Sequence, residues 1–400
     1  PFAATTVNQQ NAILMYGVES DNIITANNPE EIEAALKTAG SKATSREMYM
    51  VYAPSGKYSM TKQLTIPANV VFAAEADSKF TPATAEGFNR FFLIRGSLYG
   101  GSYDGKGLAY YCLRLDNMTF YGMNGYITNA TVKNSKRAGI IAIGSKNRNS
   151  FIMNNKVSGC GNSGISAIEG AWVTSISGNT CKNNTLAGIN LGHANADIIA
   201  NNTLTGNTGH GISTNSDGSG QGYCHIHKIM NNTIKNNGYN GVYMDENCYT
   251  DRIFSGNKIN SNKNNGVCID PNGYIKGISG NTISGNSGSG IRVNGVNSKA
   301  YIKGNNTLSG NGTNNITVIN GAAASIKGAG NLIKKSKGNG VSLSNNAVFT
   351  VNGSNNKIYS SKGYGIKAVS SSSVNIKNVI FSKNGGSNVR TLSGSTAVVK

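Results

Sequence analysis

Asp245 and Asp270 lie 25 residues apart, each three positions after a valine in a near-copy of one segment. The copies read Asn240-Gly241-Val242-Tyr243-Met244-Asp245 and Asn265-Gly266-Val267-Cys268-Ile269-Asp270. A backbone repeating with that period stacks the two carboxylates about one strand spacing apart, ~4.8 Å. Bare carboxylates that close repel, so one takes up a proton or both share a cation. Calcium is the ion expected there, being hard and oxygen-seeking, with Glu246 as a further ligand and Glu169 in reserve. The plainer alternative is two solvated corner carboxylates neutralised by nearby Lys or Arg.

Groups able to move protons share this stretch. All four histidines, His193, His210, His225 and His227, fall between positions 193 and 227. Abstraction of a proton beside a carboxylate needs a base and a positive partner for the developing charge. His210, His193 and Tyr243 are the candidate bases; Arg292, or a cation at the two aspartates, is the partner. Asn190, Ser213, Asn215, Trp172, Tyr223 and Lys276 are the expected substrate contacts. The one long repeat carries extra residues at 215–222. Such insertions form loops on one face, and this one is expected to wall a groove beside Tyr243 and Arg292.

What positions these groups is a clock of asparagines. They recur at Asn155, Asn179, Asn202, Asn232, Asn257, Asn281, Asn306, Asn331, Asn356 and Asn378, in steps of 22 to 25 residues except for one of 30. An apolar residue follows two places later, from Val157 and Cys181 to Ile358 and Ile380. A second apolar series runs from Ile140 through Ile212, Val242, Val267 and Ile291 to Ile366. Helical repeats are excluded, because 51 glycines interrupt the chain and segments such as 280–286 lack an i, i+3, i+4 stripe. The pattern predicts an all-β fold, a single-stranded right-handed parallel β-helix, whose coils bury apolar ladders against their neighbours.

Stacked asparagines bond each other's amides, and asparagine tolerates left-handed backbone at a corner. A second polar column, Asn184, Asn207, Asn237, Asn262, Asn286 and Asn311, marks the next corner. Alternation turns the residue after each second apolar mark outward. That column holds Ser166, Asn190, Ser213, Tyr243, Cys268, Arg292, Thr317, Ser342 and Lys367.

The amino end adds a plug. Asn28-Pro29-Glu30-Glu31 combines a cap, a first-turn proline and a reciprocal glutamate, predicting a short helix over about 29–39 that Gly40 stops. Residues 1–27 read as a lead-in and 28–400 as the β-helix domain. The order of this helix, Met48-Tyr49-Met50-Val51-Tyr52, Leu64-Thr65-Ile66-Pro67 and Gly100-Gly101-Ser102-Tyr103-Asp104-Gly105 resembles the opening of the pectate-lyase-like superfamily. There a helix caps the solenoid's bare end. The repeat itself is similar to those of mannuronan epimerases and copper-reductase accessory proteins. Gly209-His210-Gly211-Ile212-Ser213 resembles the histidine motif of polygalacturonases, and the two aspartate segments resemble the Tyr-Gly-Phe-Asp-Pro-His segment of mannuronan epimerases.

Charge narrows the partner. The net charge is +19; residues 301–400 hold 12 basic and no acidic side chains, while residues 1–100 hold 8 basic and 9 acidic. Such a field suits an acidic polysaccharide or an anionic cell-wall polymer. Nucleic acid is not expected, since no recognition motif accompanies the charge. No run of about 20 apolar residues predicts membrane insertion. Cys224 and Cys248 occupy matching phases and would bridge in an exported chain, whereas Cys181 belongs to the core. The resemblance and the charge together imply a secreted or cell-surface carbohydrate-active protein that binds, and cleaves or epimerises, a uronate-containing polysaccharide. The alternatives are a non-catalytic adhesion or wall-binding module and a polygalacturonase-type hydrolase using Asp245 with Glu246 or Asp270.

Overall fold

The computed structural model describes residues 7–86, 88–116, 125–144, 149–215 and 223–400. They form two compact units: Pro1–Ile189 with Ala194–Asp197, and Asn190–His193 with Ile198–Lys400.

In the first unit, residues 7–27 of the expected lead-in contain a helix and a strand. A helix, α1, spans Val7–Tyr16, and the strand Ile23–Thr25 pairs in parallel with Met50–Tyr52. The predicted cap of the second helix, α2 (Pro29–Lys42), is present: Glu31 N–H donates to Asn28 Oδ1 at 2.8 Å, and the Glu31 carboxylate accepts from Asn27 N–H at 2.7 Å. Its apolar face, Ile32, Ala35, Leu36 and Ala39, is buried. Gly40 does not stop this helix, which continues to Lys42. A Cβ on Gly40 would lie 2.7 Å from the Pro67 side chain, so glycine here permits close packing.

Behind α2 the core of this unit is aromatic. Tyr58 stacks on Phe80 at 4.7 Å, Phe80 on Tyr103 at 4.9 Å, and Phe72 tilts against Phe92 at 4.6 Å. Each such ring stabilises by roughly 1.5–3 kcal/mol through burial alone. Farther along, parallel strands place Ile140 opposite Ile165 and Val157 opposite Cys181, as the repeat requires.

The second unit is the more regular. One ladder runs Ile212, Val242, Val267, Ile291, Ile316, Val341, Ile366, every step in register. The other runs Leu204, Ile234, Ile259, Ile283, Leu308, Ile333, Ile358. The final predicted mark slips by one residue: Ile358 pairs with Phe381, and Ile380 is 48% exposed. Asn378 takes the positive φ of Asn355, one place before the ladder, and so continues a different column.

The asparagines divide their expected labour. In this unit the ladder asparagines from Asn202 to Asn356 are buried, and each bonds the next; Asn257, for example, donates its N–H and its Nδ2 to Asn281 Oδ1 at 2.9 and 3.0 Å. The left-handed corner falls instead on the preceding residue, such as Asn231 (φ 56°), Gly256 (φ 64°) or Asn305 (φ 60°). An extended residue can then aim its amide inward while its neighbour makes the turn.

Candidate functional site

Within the second unit, parallel pairing sets Ser213 beside Tyr243, Tyr243 beside Cys268, Cys268 beside Arg292 and Arg292 beside Thr317. The apolar flanks Val242, Met244, Val267, Ile269, Ile291 and Val293 are buried, which fixes the middle residues on the outer face. Above them lies a groove of about 610 Å³, lined among others by His210, Tyr239, Tyr243, Asp270, Ser289 and Arg292.

Tyr243 is its centre. The hydroxyl lies 2.9 Å from Asp245 Oδ1 and 2.8 Å from Asp270 Oδ2. A phenol has one hydrogen to donate, and carboxylates only accept. The three oxygens are therefore complete only with a second hydrogen among them. Burial first, then the two aspartates, push the Tyr243 hydroxyl well above its ordinary pKa, so it stays a phenol. Tyr243 alone is no standing base, contrary to one expectation; its proton must leave as another arrives.

His210 lies flat on the Tyr243 ring, with centroids 4.8 Å apart and planes 12° apart. Its Nδ1 accepts the Asn240 backbone N–H at 3.2 Å. In the neutral ring that assigns the hydrogen to Nε2. Burial lowers its pKa to about 4, against the opposing pull of Asp245. A neutral imidazole with Nε2–H presents that hydrogen as a donor, whereas the sequence places His210 among the candidate bases.

Arg292 Nη1 lies 3.6 Å from Asp270 Oδ1, and Asn294 Nδ2 donates to the same oxygen at 3.1 Å. Cys268 is buried, and its thiol is pushed up to about 11 by burial and then by Asp270, so it remains protonated. Of the three residues expected to hold calcium, two share a hydroxyl and one faces solvent. Asp245 and Asp270 both turn toward one hydroxyl, Arg292 already supplies charge, and Glu246 is exposed.

Other expected contacts lie elsewhere. Ser213 donates to Asn215 Oδ1 at 2.9 Å, and His193 N–H donates to the Asn215 carbonyl at 2.9 Å. Neither these three nor Asn190 lines the groove. Tyr223 joins a separate column of rings, 6.3 Å from Tyr249, which stacks on Tyr274 at 4.7 Å. Lys276 Nζ sits 5.2 Å over Tyr274. Trp172, in the first unit, donates from Nε1 to Asp197 Oδ1 at 2.7 Å. Residues 216–222, expected to wall the groove, lie outside the described residues. Cys224 and Cys248 remain thiols and form no disulfide, contrary to the expected bridge.

One wall went unanticipated: Tyr239, Asn240, Asn264, Asn265, Ser289 and Thr313. They occupy the turn just before each strand, where no hydrophobic alternation marks them. Their shared phase, two or three residues before the apolar mark, was the available signal. Asn265 Nδ2 donates to Asn240 Oδ1 at 3.0 Å, and the Ser289 hydroxyl meets those of Thr313 and Thr317 at 2.8 and 2.7 Å. Amides and hydroxyls in rows beside a tyrosine form a surface suited to a polyhydroxylated ligand.

The family described as the right handed beta helix region matches residues 119–276 and 222–354. The chain is also similar to the A-module of mannuronan C-5 epimerase AlgE4 from Azotobacter vinelandii, at 16% identity over 97% of this chain and 99% of that one, with a TM-score of 0.49. The A-module of AlgE6 from the same organism gives 16% identity, 96% and 98% coverage, and a TM-score of 0.42. The pre-mature gene product 12 of bacteriophage phi29 gives 13% identity, 97% and 56% coverage, and a TM-score of 0.41. No curated protein matches the sequence. Likeness at these identities concerns the fold.

Proposed function

The chain belongs to the right handed beta helix family, and on that scaffold we propose that the groove over Tyr243 binds an acidic, uronate-containing polysaccharide and acts on it by proton transfer. The observation that carries this reading is the Tyr243 hydroxyl, held between Asp245 and Asp270 beneath the His210 ring and beside Arg292. The charge of +19 supports a polyanionic ligand; a secreted or cell-surface location belongs to the same reading.

In the proposed step the C5–H bond beside the uronate carboxylate breaks. Its proton passes to the Tyr243 oxygen as the phenolic proton passes to Asp245 or Asp270. The electron pair moves into the sugar carboxylate as an enediolate, which Arg292 and the His210 Nε2–H stabilise. Expulsion of the glycosidic oxygen, which takes up a proton from water, completes a lyase reaction; delivery of a proton from water to the opposite face of C5 completes an epimerisation. An inverting hydrolase fits less well. An inverting pair stands roughly 6.5–9.5 Å apart to admit water, whereas both carboxylates here close on one hydroxyl.

Incubation with a panel of uronate polymers in D₂O tests this reading. New ultraviolet absorbance reports an unsaturated lyase product, and deuterium at C5 reports epimerisation. Turnover of neutral glycans alone would sink the proposal. Tight binding of an anionic polymer without turnover, unaltered by Tyr243→Phe and lost at high salt, would instead identify a wall-binding module. The outward residues Ser342, Lys367 and Arg390, in register along the same column, favour that second reading.

A further inference from the structure

The second unit carries another cluster, on the other strand series. His225 and His227 flank the buried Ile226 on the strand His225–Met230, so both rings stand on its outer side. The next strand, Tyr249–Ser255, shifts register opposite this point: Thr250 pairs with Ile226, but Ile253 pairs with Lys228. Two residues, Asp251 and Arg252, therefore face one. Such a bulge re-aims side chains, and here it brings Asp251 Oδ1 to 3.0 Å from His225 Nε2 and 2.9 Å from His227 Nδ1.

We propose that His225, His227 and Asp251 form a binding site for a divalent transition-metal ion of the zinc class. Their ligand atoms all lie within 4.8 Å of one another, and among the described residues no other group of three His, Cys, Asp or Glu meets that condition. Metal–ligand bonds of about 2.0–2.2 Å require donors roughly 3–4 Å apart, which small ring rotations provide. Two imidazoles and one carboxylate suit zinc, nickel or copper and not calcium, which prefers oxygen throughout.

The surroundings hold the donors in place. The His225 ring packs against Tyr249 at 4.6 Å and edge-on to His227 at 4.2 Å. Arg252 Nε lies 3.9 Å from the other Asp251 oxygen, leaving Oδ1 turned to the rings. These contacts limit the motion of the two rings and of the carboxylate. Three protein ligands leave a further coordination position for water or an incoming oxygen. The groove reading and this site share no residue.

Calorimetric titration of zinc chloride into tag-free, chelator-stripped, dialysed full chain tests the assignment. One zinc per chain is expected, with affinity falling at least about tenfold in His227→Gln and in Asp251→Asn. Tyr243→Phe should leave zinc binding unchanged. Zinc binding of equal strength in the His225→Gln/His227→Gln double variant, or none in the parent, overturns the site. Should the double variant lose its circular dichroism, cobalt spectra of the parent decide. Ligand-field bands without thiolate charge transfer support the triad, and a thiolate signature assigns the metal to a buried cysteine and overturns it.

Discussion

The His210 ring covers the Tyr243 ring at 4.8 Å, nearly parallel, so one neutral donor and one phenol share a single face of the groove. Because Asn240 N–H occupies Nδ1, the remaining ring nitrogen is committed to donating. Consequences for reactivity and stability follow from this pairing.

Tyr243→Phe removes the oxygen through which the proposed proton exchange passes. Turnover of the uronate polymer should fall at least about 100-fold, the usual scale for losing a general acid–base group. The ring and its stacking remain, so the melting temperature should move little. A large loss of binding without a loss of kcat would contradict the assigned role.

His210 makes stability depend on acidity. Its folded pKa of about 4 lies below the ordinary 6.5, so between these values the unfolded chain binds more protons. Stability attributable to this residue is therefore intact above 6.5 and declines as pH falls toward 4. The full loss is on the order of 3 kcal/mol at most. Urea denaturation at pH 7 and pH 4.5, for the parent and His210→Gln, checks it: the variant should show the smaller decline.

Arg292→Ala should weaken polymer binding about tenfold or more and flatten its salt dependence, since one groove cation is lost. Arg292→Lys restores charge but not the planar fork, and should recover only part of the affinity. On the proton-transfer reading, chelators should leave groove turnover unchanged, because Arg292 is the positive partner of the developing charge. Loss of groove turnover in EDTA, recovered by calcium alone, would restore the calcium reading.

Asn281→Ala should cost on the order of 3 kcal/mol. Its Oδ1 accepts from Asn257, and its Nδ2 donates to the Phe254 carbonyl and to Asn306 Oδ1, so truncation strands several buried groups. Asn378→Gly, at an exposed left-handed position, should change stability by no more than ~0.5 kcal/mol. Equal losses would refute the ladder's role.

Spacing made Asp245, Asp270, Tyr243 and Arg292 legible as neighbours, because parallel register converts 24 or 25 residues into one step across a sheet. It could not reveal that one hydroxyl would join the two aspartates, since side-chain torsions are not periodic. Turn residues such as Tyr239 and Ser289 escaped because turns carry no alternation. Asp251 was hidden by its bulge: a register shift is invisible to counting. Gly40 misled because a glycine that ends a helix and one that admits a neighbouring proline read alike.

Along the two asparagine columns of the second unit, bending and cross-linking belong to adjacent residues. Asparagine, glycine, serine and lysine all serve as the bend at different levels, as at Asn231, Gly256, Ser261 and Lys335. Drift at the hinge thus leaves the seam stitched. An architecture organised this way can diversify its exterior, level by level, while inheriting its interior unchanged.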